Sequence, residues 1–253
     1  MRKSLLIPTI ILIVAAVFWG CGGKIPGSGS GEFSVESSYI QESGDHISIN
    51  AEYPVLKGFH EADQLNSLIK DKVETAAEEV RSAASEMEGR EGFSASLNSS
   101  YQYFCNDDIA SLWISFDNYT GGAHGLYWLD SYTLNTCTGT VYTFPELFRD
   151  EKAGVDYVTG RIIKDIEKPQ DGYFETAADT VSGYEGNFNF LINGDDIVVY
   201  FPLYDIAPYV AGIQHFDFSS EELEGLLKPE IANAIMGQES LPIPFLAQEP
   251  AAD

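Results

Sequence analysis

A strand that runs directly into a glycine-rich turn constrains this chain most. Residues 112–125 read Leu-Trp-Ile-Ser-Phe-Asp-Asn-Tyr-Thr-Gly-Gly-Ala-His-Gly, and apolar and polar side chains alternate from Trp113 to Tyr119. This period of two, with many aromatic and β-branched residues, predicts a half-buried strand. The glycines that follow allow the backbone conformations that a tight connection to the next strand needs.

This turn has two possible roles. It could be a hairpin connection and nothing more, or it could face a ligand. In the second case its side chains and exposed backbone form a candidate binding surface, which consists of Tyr119, Thr120, Gly121, Gly122 and His124.

The charge of the chain limits its partners. The 253 residues include 39 Asp and Glu against 14 Lys and Arg, which gives a formal net charge of -25. Such a chain repels nucleic acid and anionic membrane surfaces and attracts basic partners. An acidic surface also keeps a protein soluble in a salty medium, so the charge alone does not choose between these explanations. We expect no nucleic-acid partner.

The first 21 residues have the features of a signal peptide. Basic residues precede an apolar stretch, Leu5 to Phe18, which is shorter than the roughly 20 residues of a membrane span. Gly20-Cys21 resembles a lipobox, in which Cys21 is lipidated and becomes the mature N-terminus. An uncleaved N-terminal anchor is the alternative. Both predict a chain that lies outside the cytoplasm and is anchored to a membrane.

A first folded region is expected at residues 33–144, after a flexible tether at 22–32. Its clearest element is a helix from Glu61 to Met87, in which apolar residues recur every three to four positions. Two strands precede this helix, and an antiparallel meander of four strands follows it. The strands are expected at 33–40, 46–53, 93–105, 109–119, 124–135 and 140–144.

A second folded region is expected at residues 145–237. An apolar stripe predicts a helix that ends before Pro169, and Asn193-Gly194-Asp195 is typical of a hairpin turn between two strands. A loop with two prolines, 201–212, comes next, then a strand around Phe216. Helices are expected at 220–227 and at 229–236, and a disordered tail at 238–253. The chain is therefore predicted to be an α+β protein of two small domains, a meander packed on a long helix followed by a helix with a β-hairpin.

The cysteines are expected to pair. In an up-and-down meander the first and third turns lie at the same end, so Cys105 and Cys137 could meet. Outside the cytoplasm we expect them to form a disulfide. With Cys21 lipidated, no thiol would remain for catalysis or metal binding.

Four stretches together resemble one known family. They are Glu52-Tyr53-Pro54 with Leu65-Asn66-Ser67-Leu68-Ile69, the turn at 119–125, Thr138-Gly139 through 144–148, and the loop at 201–212. In this order they resemble the extracytoplasmic domain pair of the anti-sigma-V factor, which also precedes the catalytic domain of some peptidoglycan deacetylases. The resemblance covers about residues 33–227. It implies an α+β fold in each half and the binding of lysozyme.

Two activities known around this domain pair are not expected here. Only four residues precede the apolar run, which leaves no sigma-binding segment, and no deacetylase domain follows residue 227. What remains is a binding module for a basic protein such as lysozyme, or for a cell-wall glycan. Its aromatic anchors would come from the turn and from the loop, where the binding candidates are Tyr204 and Tyr209 together with Pro208.

Catalysis is not expected. The four histidines are not spaced as in zinc motifs, and there is no nucleophile elbow, P-loop or dinucleotide fingerprint. His124 could act as a general base, and Asp107-Asp108 or Asp195-Asp196 could bind calcium, but a turn contact and solvated carboxylates are the plainer explanations. We expect no cofactor and no metal. A structural envelope lipoprotein without a soluble ligand, or less plausibly a hydrolase of cell-wall material, remains an alternative.

Overall fold

The protein folds as an α+β chain. The computed structural model describes residues 33–87, 92–106, 108–168, 172–244 and 246. Those ranges contain four α-helices, a five-stranded sheet and a three-stranded antiparallel sheet, which confirms the predicted fold class. The signal peptide, Cys21, the tether, Asp107 and the last seven residues of the predicted tail lie outside the described residues.

The helices and strands follow one another along the chain in mixed order. The larger sheet has the order β1-β2-β3-β4-β5, with strands β1 (Ser34–Ser43), β2 (Ile47–Lys57), β3 (Ala95–Cys105), β4 (Ile109–Tyr119) and β5 (Leu126–Asn135). The smaller sheet contains β6 (Asn189–Asn193), β7 (Asp196–Phe201) and β8 (Gln214–Ser219). The helices are α1 (Ala62–Glu86), α2 (Glu151–Ile166), α3 (Ala177–Gly183) and α4 (Pro229–Ile235).

The chain forms two compact units. Of the described residues, the first unit contains those from Phe33 to Tyr101 together with Ile114–Tyr127, and the second contains Gln102–Trp113 and those from Trp128 onward. The strands β3, β4 and β5 therefore contribute residues to both units.

In the first unit, α1 packs on β2. Most of the apolar stripe of α1 between Leu65 and Val80 is buried as predicted, but Leu68 is exposed. β1 and β2 form an antiparallel hairpin. β3 then pairs in parallel with β2, but only from Ile47 to Ala51. The predicted meander is thus extended by a parallel neighbour, and β1 becomes the edge of the sheet.

Pro54 does not end β2, contrary to our expectation. The strand continues to Lys57, and Pro54 lies opposite Ser37 of β1, beyond the part of β2 that pairs with β3. A proline lacks the N–H that a central strand needs, but here no neighbouring strand requires it. At Leu56, two residues after Pro54, the side chain of Asn66 makes the hydrogen bonds that a neighbouring strand would otherwise make. Its Oδ1 accepts from the Leu56 N–H and its Nδ2 donates to the Leu56 carbonyl, both at 2.8 Å.

In the second unit, aromatic rings fill the space around the smaller sheet. Phe144 packs edge-to-face against Phe148, Phe188 and Phe190 at centroid distances of 5.2–5.5 Å. Asp150 caps α2 by accepting a hydrogen bond from the Ala153 N–H at 3.0 Å. This packing makes the second unit a compact base for the loop that joins β7 and β8.

Two predicted elements do not form in the described part of the chain. The strand expected at 140–144 is a single bridge from Leu134 to Val141, because the backbone then turns into a short 3₁₀-helix at Pro145–Leu147. The helix expected at 220–227 is a series of turns. The Ser219 hydroxyl does cap the Glu222 N–H at 3.1 Å, but Gly225 has a φ of 81°, which a continuous α-helix does not allow.

The expected disulfide is also wrong. The two turns do meet, since the Thr136 N–H donates to the Asp108 carbonyl at 3.0 Å, but no bond joins Cys105 to Cys137. The Asn135 side chain accepts from the Cys137 N–H and fixes the local turn. Cys105 Sγ lies 3.6 Å from the carbonyl oxygen of its own neighbour in sequence.

The predicted tail is not disordered over its first part. The Asn193 side chain donates to the Leu241 carbonyl at 2.7 Å and accepts from the Leu241 N–H at 2.8 Å. Further along, Leu246 forms a parallel bridge with Ile213. Because these contacts hold the backbone of the tail at Asn193 and Ile213, the described residues of the tail up to Leu246 belong to the folded second unit.

Candidate functional site

The Tyr119–Gly125 turn is braced by its own residues. The Tyr119 hydroxyl donates to the Gly122 carbonyl at 3.0 Å, and its ring lies 6.0 Å from that of Phe93. Gly121 and Gly122 have φ values of 112° and 108°, which only glycine adopts without strain. The side chain of Tyr119 therefore holds the turn in shape.

The turn leaves Thr120 and His124 exposed to solvent. His124 Nδ1 lies 2.9 Å from the Gly125 carbonyl, so this nitrogen donates and the ring is fixed beside the backbone. Gly125 is required for a different reason, since a Cβ there would lie 2.5 Å from the Asn118 carbonyl oxygen. The five predicted residues thus meet in one turn, with a structural role for Tyr119.

The loop between β7 and β8 presents an apolar tip. Val210 is 91% exposed and Tyr204 is 50% exposed. The Tyr204 and Tyr209 rings are 5.6 Å apart, and Pro208 precedes the short 3₁₀-helix that carries Tyr209 and Val210. Three of our predicted binding residues, Tyr204, Pro208 and Tyr209, are therefore close together.

The base of this loop is anchored in the second unit. Ile206 is fully buried, and its carbonyl accepts from the Phe174 N–H at 2.9 Å. The Tyr184 hydroxyl donates to Asp205 Oδ2 at 2.7 Å, and burial followed by this carboxylate raises the pKa of Tyr184 above its usual range. Tyr204 itself has a φ of 66°, an uncommon conformation for a tyrosine. The loop therefore has a fixed base and an exposed tip.

The turn and the loop belong to different units, and each is a separate candidate. Our sequence reasoning missed two further clefts that are lined by described residues. The first lies in the first unit, has a volume of about 520 Å³, and is lined by Tyr39, Ile40, Asp71, Glu74, Thr75, Glu78 and Arg81. We refer to it as the β1–α1 groove.

One wall of the β1–α1 groove is acidic. Arg81 Nε donates to Glu42 at 2.8 Å and Arg81 Nη1 lies 3.4 Å from Glu78, and the bond to Glu42 is the main reason why the pKa of Arg81 is raised. Asp71 and Glu74 lie along the same wall, and Glu74 is 3.5 Å from Lys70 in an exposed ion pair. The spacing of three and four residues between these carboxylates is the sequence signal that could have shown a common face.

The second cleft, of about 300 Å³, lies between the smaller sheet and the segment 240–246. Burial, followed by the nearby Asp217 carboxylate, raises the pKa of Asp196 in this cleft. His215 Nε2 is 3.8 Å from Asp217, while its buried Nδ1 has no hydrogen-bond partner among the described residues. The adjacent Asp195 has a structural role, because it accepts from the Gly237 N–H at 3.1 Å and from the Ser220 hydroxyl.

Neither a metal site nor a membrane span emerges from the described residues. No group of three or more His, Cys, Asp or Glu side chains in these ranges is arranged to hold a metal ion. None of the helices in the described ranges is long and apolar enough to cross a membrane.

Comparison with known proteins defines the class. Residues 40–127 match the family model described as Deacetylase PdaC, and residues 145–221 match the model of a protein family of unknown function, DUF3298. The chain therefore carries a PdaC/DUF3298-type domain pair, as the resemblance of its motifs implied. The first match includes the Tyr119–Gly125 turn, and the second includes the loop with Tyr204 and Tyr209.

Two solved structures align with this chain at low identity. A member of the DUF3298 family from Bacteroides fragilis is 17% identical, with a TM-score of 0.49, and the alignment covers 90% of this chain and 96% of that chain. A DUF3298 family protein from Pseudomonas aeruginosa is 14% identical, with a TM-score of 0.45 and coverage of 88% and 96%. No curated protein matches the chain.

Proposed function

We propose that this protein is a non-catalytic binding module that is tethered to a membrane outside the cytoplasm and recognises a basic protein, such as lysozyme, or a cell-wall glycan. The observation that carries the proposal is the tip of the β7–β8 loop, where Val210 is 91% exposed above a buried and hydrogen-bonded base. An apolar side chain gains most from such a position when a partner covers it.

The charge of the chain favours a basic protein as that partner. A formal net charge of -25 attracts a cationic protein over distances comparable with the Debye length, about 8 Å at physiological ionic strength. Opposite charges raise the rate of encounter, and the aromatic and aliphatic tip then supplies buried contact area. The association rate constant should therefore depend on salt, and the dissociation rate constant should depend on the residues of the tip.

The proposal is tested by binding of the purified protein to basic lysozyme, to lysozyme whose amines have been succinylated, and to soluble peptidoglycan fragments. Succinylation converts lysine ammonium groups to carboxylates, so we expect it to abolish binding that depends on charge. We expect saturable binding of unmodified lysozyme that weakens between about 0.05 M and about 0.5 M NaCl.

A pair of variants locates the surface. Val210→Lys introduces a cation at the tip and is expected to weaken lysozyme binding about tenfold or more, since it repels the partner and removes apolar contact. Met236→Lys is the matched control, because Met236 is also apolar, is 62% exposed and lies in the same unit outside the loop. Equal losses of lysozyme affinity in the two variants would show that binding depends on the net charge of the protein and not on the tip.

The glycan arm separates the two ligand classes. Capture of peptidoglycan fragments without lysozyme binding, sensitive to Tyr209→Ala, would assign the same tip to sugar stacking. No saturable binding in any arm would overturn the proposal and favour a structural role in the envelope.

A further inference from the structure

The outer edge of β1 is available for pairing with another strand. β1 is 10 residues long and pairs with β2 on one side, and no described residue of the chain pairs with its other side. A strand edge of this length carries a row of backbone N–H and C=O groups, and extended peptides bind proteins by adding a strand to such an edge.

The register shows which groups point outward. The Gly44 N–H donates to the Ile47 carbonyl at 2.9 Å, which closes the hairpin between β1 and β2. Hydrogen-bonded and non-hydrogen-bonded pairs alternate in an antiparallel ladder, so Ile40 bonds to β2, whereas Tyr39 and Gln41 direct their N–H and C=O groups away from β2. Tyr39 and Gln41 both lie in the C-terminal half of β1, beside the groove.

The acidic wall of the β1–α1 groove runs along this edge. Asp71, Glu74 and Glu78 are spaced by three and four residues, so they share one face of α1, and all three are exposed. Ile40 lies on the α1 side of β1, as does Glu42, which bonds to Arg81 of α1. Every second side chain of a strand added at β1 would therefore point toward these carboxylates.

We propose that the β1–α1 groove binds an extended peptide segment with lysine or arginine at alternate positions, which adds to β1 as a further strand. The inference rests on the proposed function, since it gives the mode by which the chain holds a basic partner. The backbone of the peptide pairs with the outward groups of Tyr39 and Gln41, and its basic side chains pair with Asp71 and Glu74. Arg81 marks the end of the groove where a basic side chain is repelled.

The same charges disfavour a second copy of this chain as the occupant. Two copies that met edge to edge would bring two acidic walls together, and each chain has a net charge of -25. An extended segment of positive charge can form hydrogen bonds with the edge of β1 and ion pairs with the carboxylates of α1. A basic peptide is therefore the occupant that the groove fits.

The test uses fluorescence anisotropy with a labelled peptide of alternating lysine and valine that matches the 10 residues of β1. Two control peptides separate the contributions. One carries a methyl group on every backbone nitrogen, so that neither of its edges can donate hydrogen bonds to β1, and the other replaces lysine by glutamate. We expect the first peptide to bind in a saturable manner and neither control peptide to bind.

Gln41→Pro and Gln41→Ala form the matched variant pair. Both remove the side-chain bond to Asn50, but only proline removes the outward N–H, and neither changes a backbone bond to β2. We expect Gln41→Pro to weaken peptide binding about tenfold and Gln41→Ala to stay within about twofold of the wild type. On α1, Glu74→Gln should weaken binding, whereas Glu79→Gln, which is exposed outside the groove, should not.

The outcomes separate this inference from the proposed function. Equal binding of the N-methylated peptide, or equal effects of the two Gln41 variants, overturns strand addition even where lysozyme binding and its dependence on Val210 persist. Absence of binding to both lysozyme and the peptide overturns both proposals. The N-methylated peptide is tested on the wild type, so this result stands even where the proline variant fails to fold.

Discussion

Glu146 is held in its ionised form by the residue three positions before it. Its Oε2 accepts from the Thr143 N–H at 2.7 Å and from the Thr143 hydroxyl at 2.8 Å. The backbone bond is the main reason why the pKa of Glu146 is lowered. A lowered pKa in the folded state stabilises the protein above the unfolded pKa, and this stability is lost as pH falls through the folded value.

Glu146→Gln is therefore expected to lower the free energy of unfolding at pH 7 by about 1 kcal/mol, the usual size of a lost helix cap. The difference from the wild type should shrink as pH falls below about 4, where the glutamate of the unfolded chain is protonated. Urea titrations across this pH range measure it. Glu175→Gln, at an exposed position in the same unit, is the control. A constant difference at every pH would contradict the assigned role.

Asp196 is expected to show the opposite pH dependence. Burial and the Asp217 carboxylate raise its pKa, so ionisation costs more in the folded state than in the unfolded chain. This part of the stability is present below the unfolded pKa and is lost as pH rises through the folded value. Asp196→Asn keeps an oxygen acceptor for the Ser240 hydroxyl, which lies 3.3 Å away.

We thus expect Asp196→Asn to raise the melting temperature at pH 7 and to have no such effect at about pH 3, where both states are protonated. Asp179→Asn, on the exposed side of α3, provides the comparison because it tests the loss of one charge away from the cleft. A lower melting temperature for Asp196→Asn at pH 7 would show that the carboxylate is needed for a contact.

The candidate residues were predictable to different degrees. The glycine pattern placed Tyr119, Gly121 and Gly122 in one turn, because positive φ values are a local property. It could not show that the Tyr119 hydroxyl bonds to the Gly122 carbonyl, since this depends on the exact curvature of the turn. The environment of the half-buried Asp196 was also hidden, because residues that line its cleft, such as Ser240 and Leu246, are distant in sequence.

Among the elements, α2 tests how local packing determines whether a glycine can be replaced by alanine. A Cβ on Gly154 would lie 2.1 Å from the Phe148 ring, whereas a Cβ on Gly160 would meet nothing within 4 Å. Gly154→Ala is expected to destabilise the protein by about 1–3 kcal/mol through overpacking. Gly160→Ala, in the same helix, is expected to stabilise it by about 0.5–1 kcal/mol, because alanine favours the helix. Thermal unfolding of both variants checks the pair, and changes of the same sign would contradict this packing.

Periodic elements were predicted well and edges were not. The boundaries of α1 lie within one residue of the predicted helix, and β4 has the predicted boundaries, because hydrophobic periodicity is local. Whether Pro54 ends a strand depends on how far β3 follows β2, which is a long-range property. For the same reason the β1–α1 groove was missed. Nothing in the sequence of α1 shows that a strand edge lies beside its acidic face.

At the scale of the whole molecule, charge limits stability as well as partners. The exposed ion pairs of the chain, such as Lys152 with Asp156 at 2.5 Å, add little stability each. The 39 acidic residues outnumber the 14 basic ones, so most carboxylates have no cation to pair with. Repulsion among them is stronger in the folded state, where the charges are closer together than in the unfolded chain.

We therefore expect added NaCl to raise the melting temperature at pH 7.5, because at about 0.5 M salt the screening length falls below about 5 Å. The net charge shrinks as pH approaches the sequence pI of about 4.2, so the same addition at about pH 5 should have a smaller effect. Scanning calorimetry at both pH values over a series of salt concentrations measures the two slopes. Equal slopes would mean that salt acts through burial of apolar surface, which does not depend on the charge of the chain. A steeper slope at pH 7.5 would show that the acidity which is proposed to attract a basic partner has a measurable cost in the unbound fold.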